Sequence, residues 1–159
     1  MVAAAARSKG FEDFLPLYTS RRRWSDRLVL IDEPLFPGYV FCRLNVEDRI
    51  GLLTIPRVMY VVGAGNIPAV VADEEILAIR DALRAEAVVR PWPFVEAGQR
   101  ARLTAGPLIG LEGLLMQADH QQQMVLSLTA LKQSIAVEIE HEWIGSLDRA
   151  GQPALNSQF

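Results

Sequence analysis

Apolar positions along the chain follow helical spacing in some stretches and strict alternation in others. Val2 to Lys9 is an alanine-rich run that predicts a helix, with Gly10 as its stop and no capping residue ahead of it. Phe14 to Tyr18 predicts a short strand, which Pro16 places at an edge or a bulge. Arg21 to Arg27 reads as a polar turn region, and Leu28 to Ile31 as a second short apolar run. Tyr39 to Leu44 predicts a strand. Val46 to Thr54 then predicts a short helix, capped by Asn45, carrying Glu47 and Asp48 in its first turn and ended by Pro56. Val58 to Val62 is rich in β-branched residues and predicts a strand closed by Gly63-Ala64-Gly65-Asn66; Ala69 to Val71 predicts a brief one. Asp73 caps a predicted helix through about Ala87. Its Ile76, Ile79 and Leu83 stand at i, i+3 and i+7, so one face packs on a sheet.

The pattern changes after that helix. Arg90-Pro91-Trp92-Pro93 cannot continue a helix and reads as a stiff connector. From Gly98 onward the signals are all β: Gln99 to Leu103 alternates, glycines punctuate the next stretch, and Met124–Leu128 and Ile135–Ile139 alternate again. Short alternating strands with glycine turns predict a small barrel. The expected organisation is an α+β chain with a first domain over 1–87, a linker over 88–95, a β domain over 96–145 and a flexible tail over 146–159.

Composition narrows the function classes. The chain has 159 residues, 50% of them hydrophobic and 22% charged, as in ordinary globular proteins. A net charge of −3 excludes a polycation built for nucleic acid along its whole length. The charge is uneven, though: Arg7, Lys9, Arg21, Arg22, Arg23 and Arg27 crowd the first part, while the final third carries mostly Glu and Asp. Cys42 is the only cysteine, so an intrachain disulfide and a multi-cysteine metal site are both excluded. No apolar run approaches the ~18 residues of a membrane helix, and no export signal opens the chain. A cytoplasmic protein without membrane attachment is expected.

The chemistry-bearing candidates are few. Pro34-Leu35-Phe36-Pro37-Gly38-Tyr39-Val40-Phe41 sets aromatic rings at fixed offsets at a strand entrance, with the prolines holding the chain extended and Gly38 free to take angles other residues resist. The segment reads either as a docking surface or as a proline-bounded core strand. Arg21, Arg22, Arg23, Trp24 and Arg27 can hold phosphate and stack on a base, or form a solvated turn. His120 and His141 stand without a nucleophile or carboxylate at motif spacing, and Gly63-Ala64-Gly65 lacks the rest of a dinucleotide fingerprint. No enzymatic activity, metal or cofactor is expected.

Three motifs in order resemble one family. Pro34–Phe41 resembles the signature of the NusG-type N-terminal domain, and Pro56-Arg57-Val58-Met59 followed by Val61-Val62-Gly63 resembles its second signature. Gly98-Gln99-Arg100-Ala101-Arg102 with Gly106-Pro107-Leu108-Ile109-Gly110-Leu111-Glu112-Gly113 is similar to the KOW motif. The resemblance covers roughly residues 1 to 144. It implies an N-terminal α/β sandwich and a small SH3-like β-barrel. It also implies a processivity factor that docks on the clamp helices of the largest RNA polymerase subunit, suppresses pausing or termination, and recruits Rho or a small-subunit ribosomal protein through the KOW domain. Carried over by motif, Phe36, Pro37, Gly38 and Tyr39 would form the clamp-binding surface. Arg57 and the arginine-tryptophan cluster would face polymerase or the non-template DNA strand. Gly98, Gly106, Pro107, Gly110 and Gly113 would shape the KOW turns. The family begins with a strand carrying a Trp-Tyr-type pair; here Met1 falls inside the first helix, so a truncated N-terminal domain is expected, either from a misplaced start or as a shortened form. A general factor and an operon-restricted paralogue both fit. The alternative from another class is a KOW-containing ribosome-associated RNA-binding protein, which a pI of 5.4 disfavours.

Overall fold

The computed structural model describes residues 1–146; residues 147–159, which hold nearly all of the expected tail, lie outside the described residues. Helix α1, Val2–Ser8, buries Ala3 and Ala6, the small side chains that let its face approach the rest of the fold closely. It ends as expected, with the Lys9 N–H on Ala5 and Ala6 carbonyls and Gly10 at φ +87°. Strand β1, Glu12–Phe14, pairs antiparallel with β4, Phe41–Arg43, bringing Phe14 opposite Phe41. Between them runs a hairpin of β2, Leu17–Trp24, and β3, Arg27–Pro34. A 3-10 turn, Val46–Asp48, leads into α2, Arg49–Leu53. Ala6, Leu52 and Ile55 form a small core over which Val2, Phe11, Cys42 and Val58 pack.

Several local expectations are corrected. Arg21 to Arg27 is strand, with the turn confined to Ser25-Asp26, where Ser25 takes φ +55° in place of the usual glycine or asparagine. Asn45 makes no side-chain cap, and the expected helix is split into the 3-10 turn and α2. Val58 to Val62 is not a strand: Val58 N–H closes a turn on the Ile55 carbonyl at 3.1 Å, and the run has no ladder partner among the described residues. Strand propensity without a neighbouring backbone to pair with leaves the chain irregular. In place of Ala69–Val71, the short β5, Gly63–Ala64, and β6, Ile67–Pro68, pair around Gly65-Asn66.

Helix α3 spans Asp73–Arg84; Asp73 is its first helical residue and Ala72 occupies the cap position. Three acids in its first turn suit the positive end of the helix dipole. The expected connector contains β7, Val89–Trp92, which pairs with β11. Pro91 is tolerated there because β7 is an edge strand. β8 (Gln99–Leu103), β9 (Glu112–Ala118), β10 (Gln121–Leu128), β11 (Gln133–Ile139) and β12 (Ile144–Ser146) complete an antiparallel sheet ordered β12-β8-β9-β10-β11-β7. The ladder is not closed into a ring: β12 and β7 are its two edges among the described residues.

The chain divides into two compact units, Met1–Val70 and the chain from Val71 on, so α3 belongs with the second. The reason lies in β10. Met124, Leu126 and Leu128 are buried on the face they share with Ile135 and Val137 of β11, whereas Val125 and Gln123 are buried on the opposite face. A strand apolar on both faces needs a layer on each side. Helix α3 packs against β10 and buries Ile79 and Ala82.

Candidate functional site

The Pro34–Phe41 segment folds as a pinned turn. Leu35 N–H donates to the Pro16 carbonyl at 2.9 Å, tying the end of β3 to the break between β1 and β2. Tyr39 N–H donates to the Phe36 carbonyl at 3.1 Å. Proline second and glycine third, the latter at φ +85°, is the arrangement of a type II turn. Leu35 and Phe36 are each only 1% exposed. Phe36 meets Phe41 edge-on, with centroids 5.6 Å apart and planes at 87°, and Phe14 lies 6.2 Å beyond. Phe36 thus belongs to an aromatic core, Pro37 and Gly38 are exposed at the tip of the turn, and Tyr39 is half-buried at the boundary. The sequence left a shared docking surface and a shared core both open for the two rings; the turn separates them by depth.

The β2–β3 register sorts the arginine cluster onto two faces. Opposite residues in an antiparallel pair share a face, and successive residues alternate. Arg21 and Arg23 therefore stand with Leu30 and Leu28, while Arg22 and Trp24 stand with Val29 and Arg27. On the second face Glu33 collects three donors: Ser20 Oγ at 2.5 Å, Arg22 Nη2 at 2.6 Å and Tyr18 Oη at 3.4 Å. The Ser20 hydroxyl, followed by Arg22, holds the Glu33 carboxyl below the ordinary glutamate range. Burial, then the charge of Glu33, pushes the Tyr18 phenol up. The charge of Arg22 is thereby paired. Arg21, Arg23 and Arg27 have no ion-pair partner among the described residues, and Trp24 at the tip is 71% exposed.

Arg57 occupies a second proline turn. It follows Pro56, takes φ +74° and is exposed. A non-glycine residue in this region carries strain of about 1–2 kcal/mol. The Met1–Val70 unit also exposes Ile50, Met59 and Tyr60, which sequence reading had assigned to a helix and a strand.

In the second unit the KOW-like residues shape turns and close approaches. Gly98 precedes β8, Pro107 and Gly110 lie in the Thr104–Gly110 loop, and Gly113 is in β9. Gly106 sits at φ +80° with the Trp143 ring so close that a Cβ would lie 2.6 Å from it. A network invisible in the sequence fastens the stretch after β7: Ser127 Oγ donates to the Val95 carbonyl at 2.7 Å, and Val95 N–H donates to Ser134 Oγ at 3.1 Å. Among the described residues no group of three His, Cys, Asp or Glu could hold a metal, and no helix is long and apolar enough to cross a membrane.

The family model described as "Transcription termination factor nusG" matches residues 2–80. The chain is 29% identical over 142 residues to the transcription termination/antitermination protein NusG of Vibrio parahaemolyticus, covering 86% of this chain and 75% of the relative. The Vibrio cholerae protein of the same name matches equally, at 29% over 142 residues, 86% of this chain and 75% of its own length. The Escherichia coli NusG is 27% identical over 134 residues, 81% of this chain and 71% of its own. With the family model matched over residues 2–80, the first unit and most of α3, and relatives aligned over 81–86% of the chain, the chain belongs to the NusG family.

Proposed function

We propose that this protein is a transcription termination/antitermination factor that acts by binding RNA polymerase, with no bond made or broken. The observation that carries the reading is the pinned Pro-Gly turn of residues 34–41, which lies inside the segment matched by the family model. Buried Leu35 and Phe36 hold it, so Pro37, Gly38 and Tyr39 form a preorganised edge whose ordering cost is met in folding and not in binding. This edge docks on the clamp helices of the largest polymerase subunit. Aromatic anchors in such interfaces supply about 2 kcal/mol or more each. A factor that prefers the closed clamp by roughly 1–3 kcal/mol changes pausing about 5- to 150-fold.

The β2–β3 ribbon faces nucleic acid in this reading. Arg21 and Arg23, unpaired among the described residues, supply cations to phosphate, and exposed Trp24 offers a stacking platform to the non-template strand. Arg57 stands as a polymerase or DNA contact, its strained backbone consistent with a functional position. The second unit recruits a further protein, Rho or a small-subunit ribosomal protein.

The test is binding of the full chain to purified bacterial elongation complexes, with pause lifetimes on a defined template. Tyr39→Ala should weaken binding about tenfold or more with its fold retained. Arg21→Gln with Arg23→Gln should weaken binding to complexes with an exposed non-template strand and reduce the salt slope by about 1–2. Unchanged binding by the Tyr39 variant would sink the docking surface; no binding by the wild-type chain would sink the polymerase reading.

A further inference from the structure

Helix α3 does more than cover β10. Between α3, the Thr104–Gly110 loop and strands β9 and β10 lies an open groove of about 990 Å³. Its floor includes the buried apolar side chains of Leu108, Leu111 and Val125. Its two lips each carry an exposed aliphatic side chain: Leu77 on α3, 50% exposed, and Ile109 on the loop, 68% exposed. Leu77 lies off the Ile76/Ile79/Leu83 face that sequence periodicity assigns to packing.

Acids outnumber cations around the groove. Glu74, Glu75 and Asp81 of α3 line it together with Glu96, and none of the four has an ion-pair partner among the described residues. Glu112 is paired with Arg102, which leaves Arg84 and Arg100 as the cations of the lining. A phosphate backbone would be repelled from such a rim. A floor that rewards apolar anchors inside a negative rim is complementary to a chain segment carrying both aliphatic and basic side chains.

We propose that this groove binds a positively charged amphipathic segment of a partner protein, and that the carboxylates of α3 select it by charge. The inference deepens the reading above, in that it gives the chemistry of the second unit's partner, and it assigns α3 a part in partner recognition. An RNA partner is the competing occupant, and the same assay distinguishes it.

The experiment uses the full chain and fluorescence anisotropy with three labelled probes: an amphipathic Lys/Leu peptide, the same peptide with Glu for Lys, and a single-stranded RNA. The basic peptide should bind at least about tenfold more tightly than the acidic one and lose affinity with salt. The triple variant Glu74→Gln/Glu75→Gln/Asp81→Asn keeps side-chain size, and it should lose about fivefold and flatten the salt dependence. Leu77→Ser with Ile109→Ser should weaken the basic peptide at every salt concentration. Equal binding of the two peptides, full affinity in the triple variant with its circular dichroism unchanged, or preferential binding of the RNA would overturn the proposal. Elongation-complex binding, measured on the same variants, separates the two readings: it depends on residues 34–41 and should survive in all of them. Its failure alongside intact peptide binding would remove the polymerase reading and leave the groove.

Discussion

Replacing Phe36 by alanine should cost the Met1–Val70 unit a large share of its stability. The ring is 1% exposed and meets Phe41 edge-on at 5.6 Å, with Phe14 behind it. Truncating a fully buried phenylalanine costs about 3–5 kcal/mol, of which roughly 0.5–1.5 belongs to the aromatic pair itself. A unit of this length has a total stability of roughly 3.5–10 kcal/mol. At a urea slope of about 1–2 kcal/mol per molar, the transition should fall by at least about 1.5 M or vanish from the accessible range. Trp24, the tryptophan of this unit, is largely exposed and reports poorly on its packing. Far-UV circular dichroism in urea should therefore be combined with amide exchange at β1 and β4. A change below about 0.5 kcal/mol, the scale of surface substitutions, would refute the core assignment. A cycle of Phe36→Leu and Phe41→Leu should show a coupling of about 0.5–1.5 kcal/mol. The consequence for function is practical: lost polymerase binding in Phe36→Ala would report unfolding, whereas half-buried Tyr39 gives a readable variant.

Other consequences follow from the same geometry. Gly106→Ala places a methyl group 2.6 Å from the Trp143 ring at a backbone angle of +80°, and should destabilise the second unit by about 2–4 kcal/mol in a denaturant titration. Arg57→Gly relieves the φ of +74° and should raise stability by up to about 1 kcal/mol while weakening any polymerase or DNA contact made by the guanidinium, a stability–binding split measurable on one sample. Arg7 donates to Asp13 at 2.8 Å and 2.9 Å, which holds the Asp13 carboxyl below the ordinary aspartate range. A lowered folded-state pKa contributes stability above the unfolded value, and that contribution disappears as pH falls through the folded value. Thermal unfolding of Asp13→Asn should therefore lose less stability than the wild type between about pH 5 and pH 2.

Much of the fold is legible in the chain because local rules and tertiary context agree there. The alanine run makes α1, Gly10 ends it, Pro37-Gly38 makes the turn, and alternation from Gln99 on makes the antiparallel strands. The misreadings have a common physical cause: strands depend on partners that local sequence does not name. Val58 to Val62 has the composition of a strand and no ladder partner among the described residues, so it stays irregular. Arg90 to Trp92 has the composition of a connector and an available edge on β11, so it pairs. The double-sided burial of Met124–Leu126 could have been found: three apolar residues in a row put apolar side chains on both faces of the strand, and α3 is the helix that packs on β10 as the second cover.

The candidate sites show the same division between residue identity and placement. Sequence motifs picked out the residues at 34–41 and 21–27, but depth and register decide what each can do. One residue step along β2 separates Arg22, paired with Glu33, from Arg21 and Arg23, which have no ion-pair partner among the described residues. A net count of arginines would credit all three equally. If the ribbon binds phosphate, Arg22→Gln should weaken nucleic-acid binding far less than Arg23→Gln, and Glu33→Gln should strengthen it by releasing Arg22. Equal losses for Arg22→Gln and Arg23→Gln in a filter-binding titration would mean that the two faces act together. The division of labour read from the register would then fail, even though the cluster as a whole bound DNA.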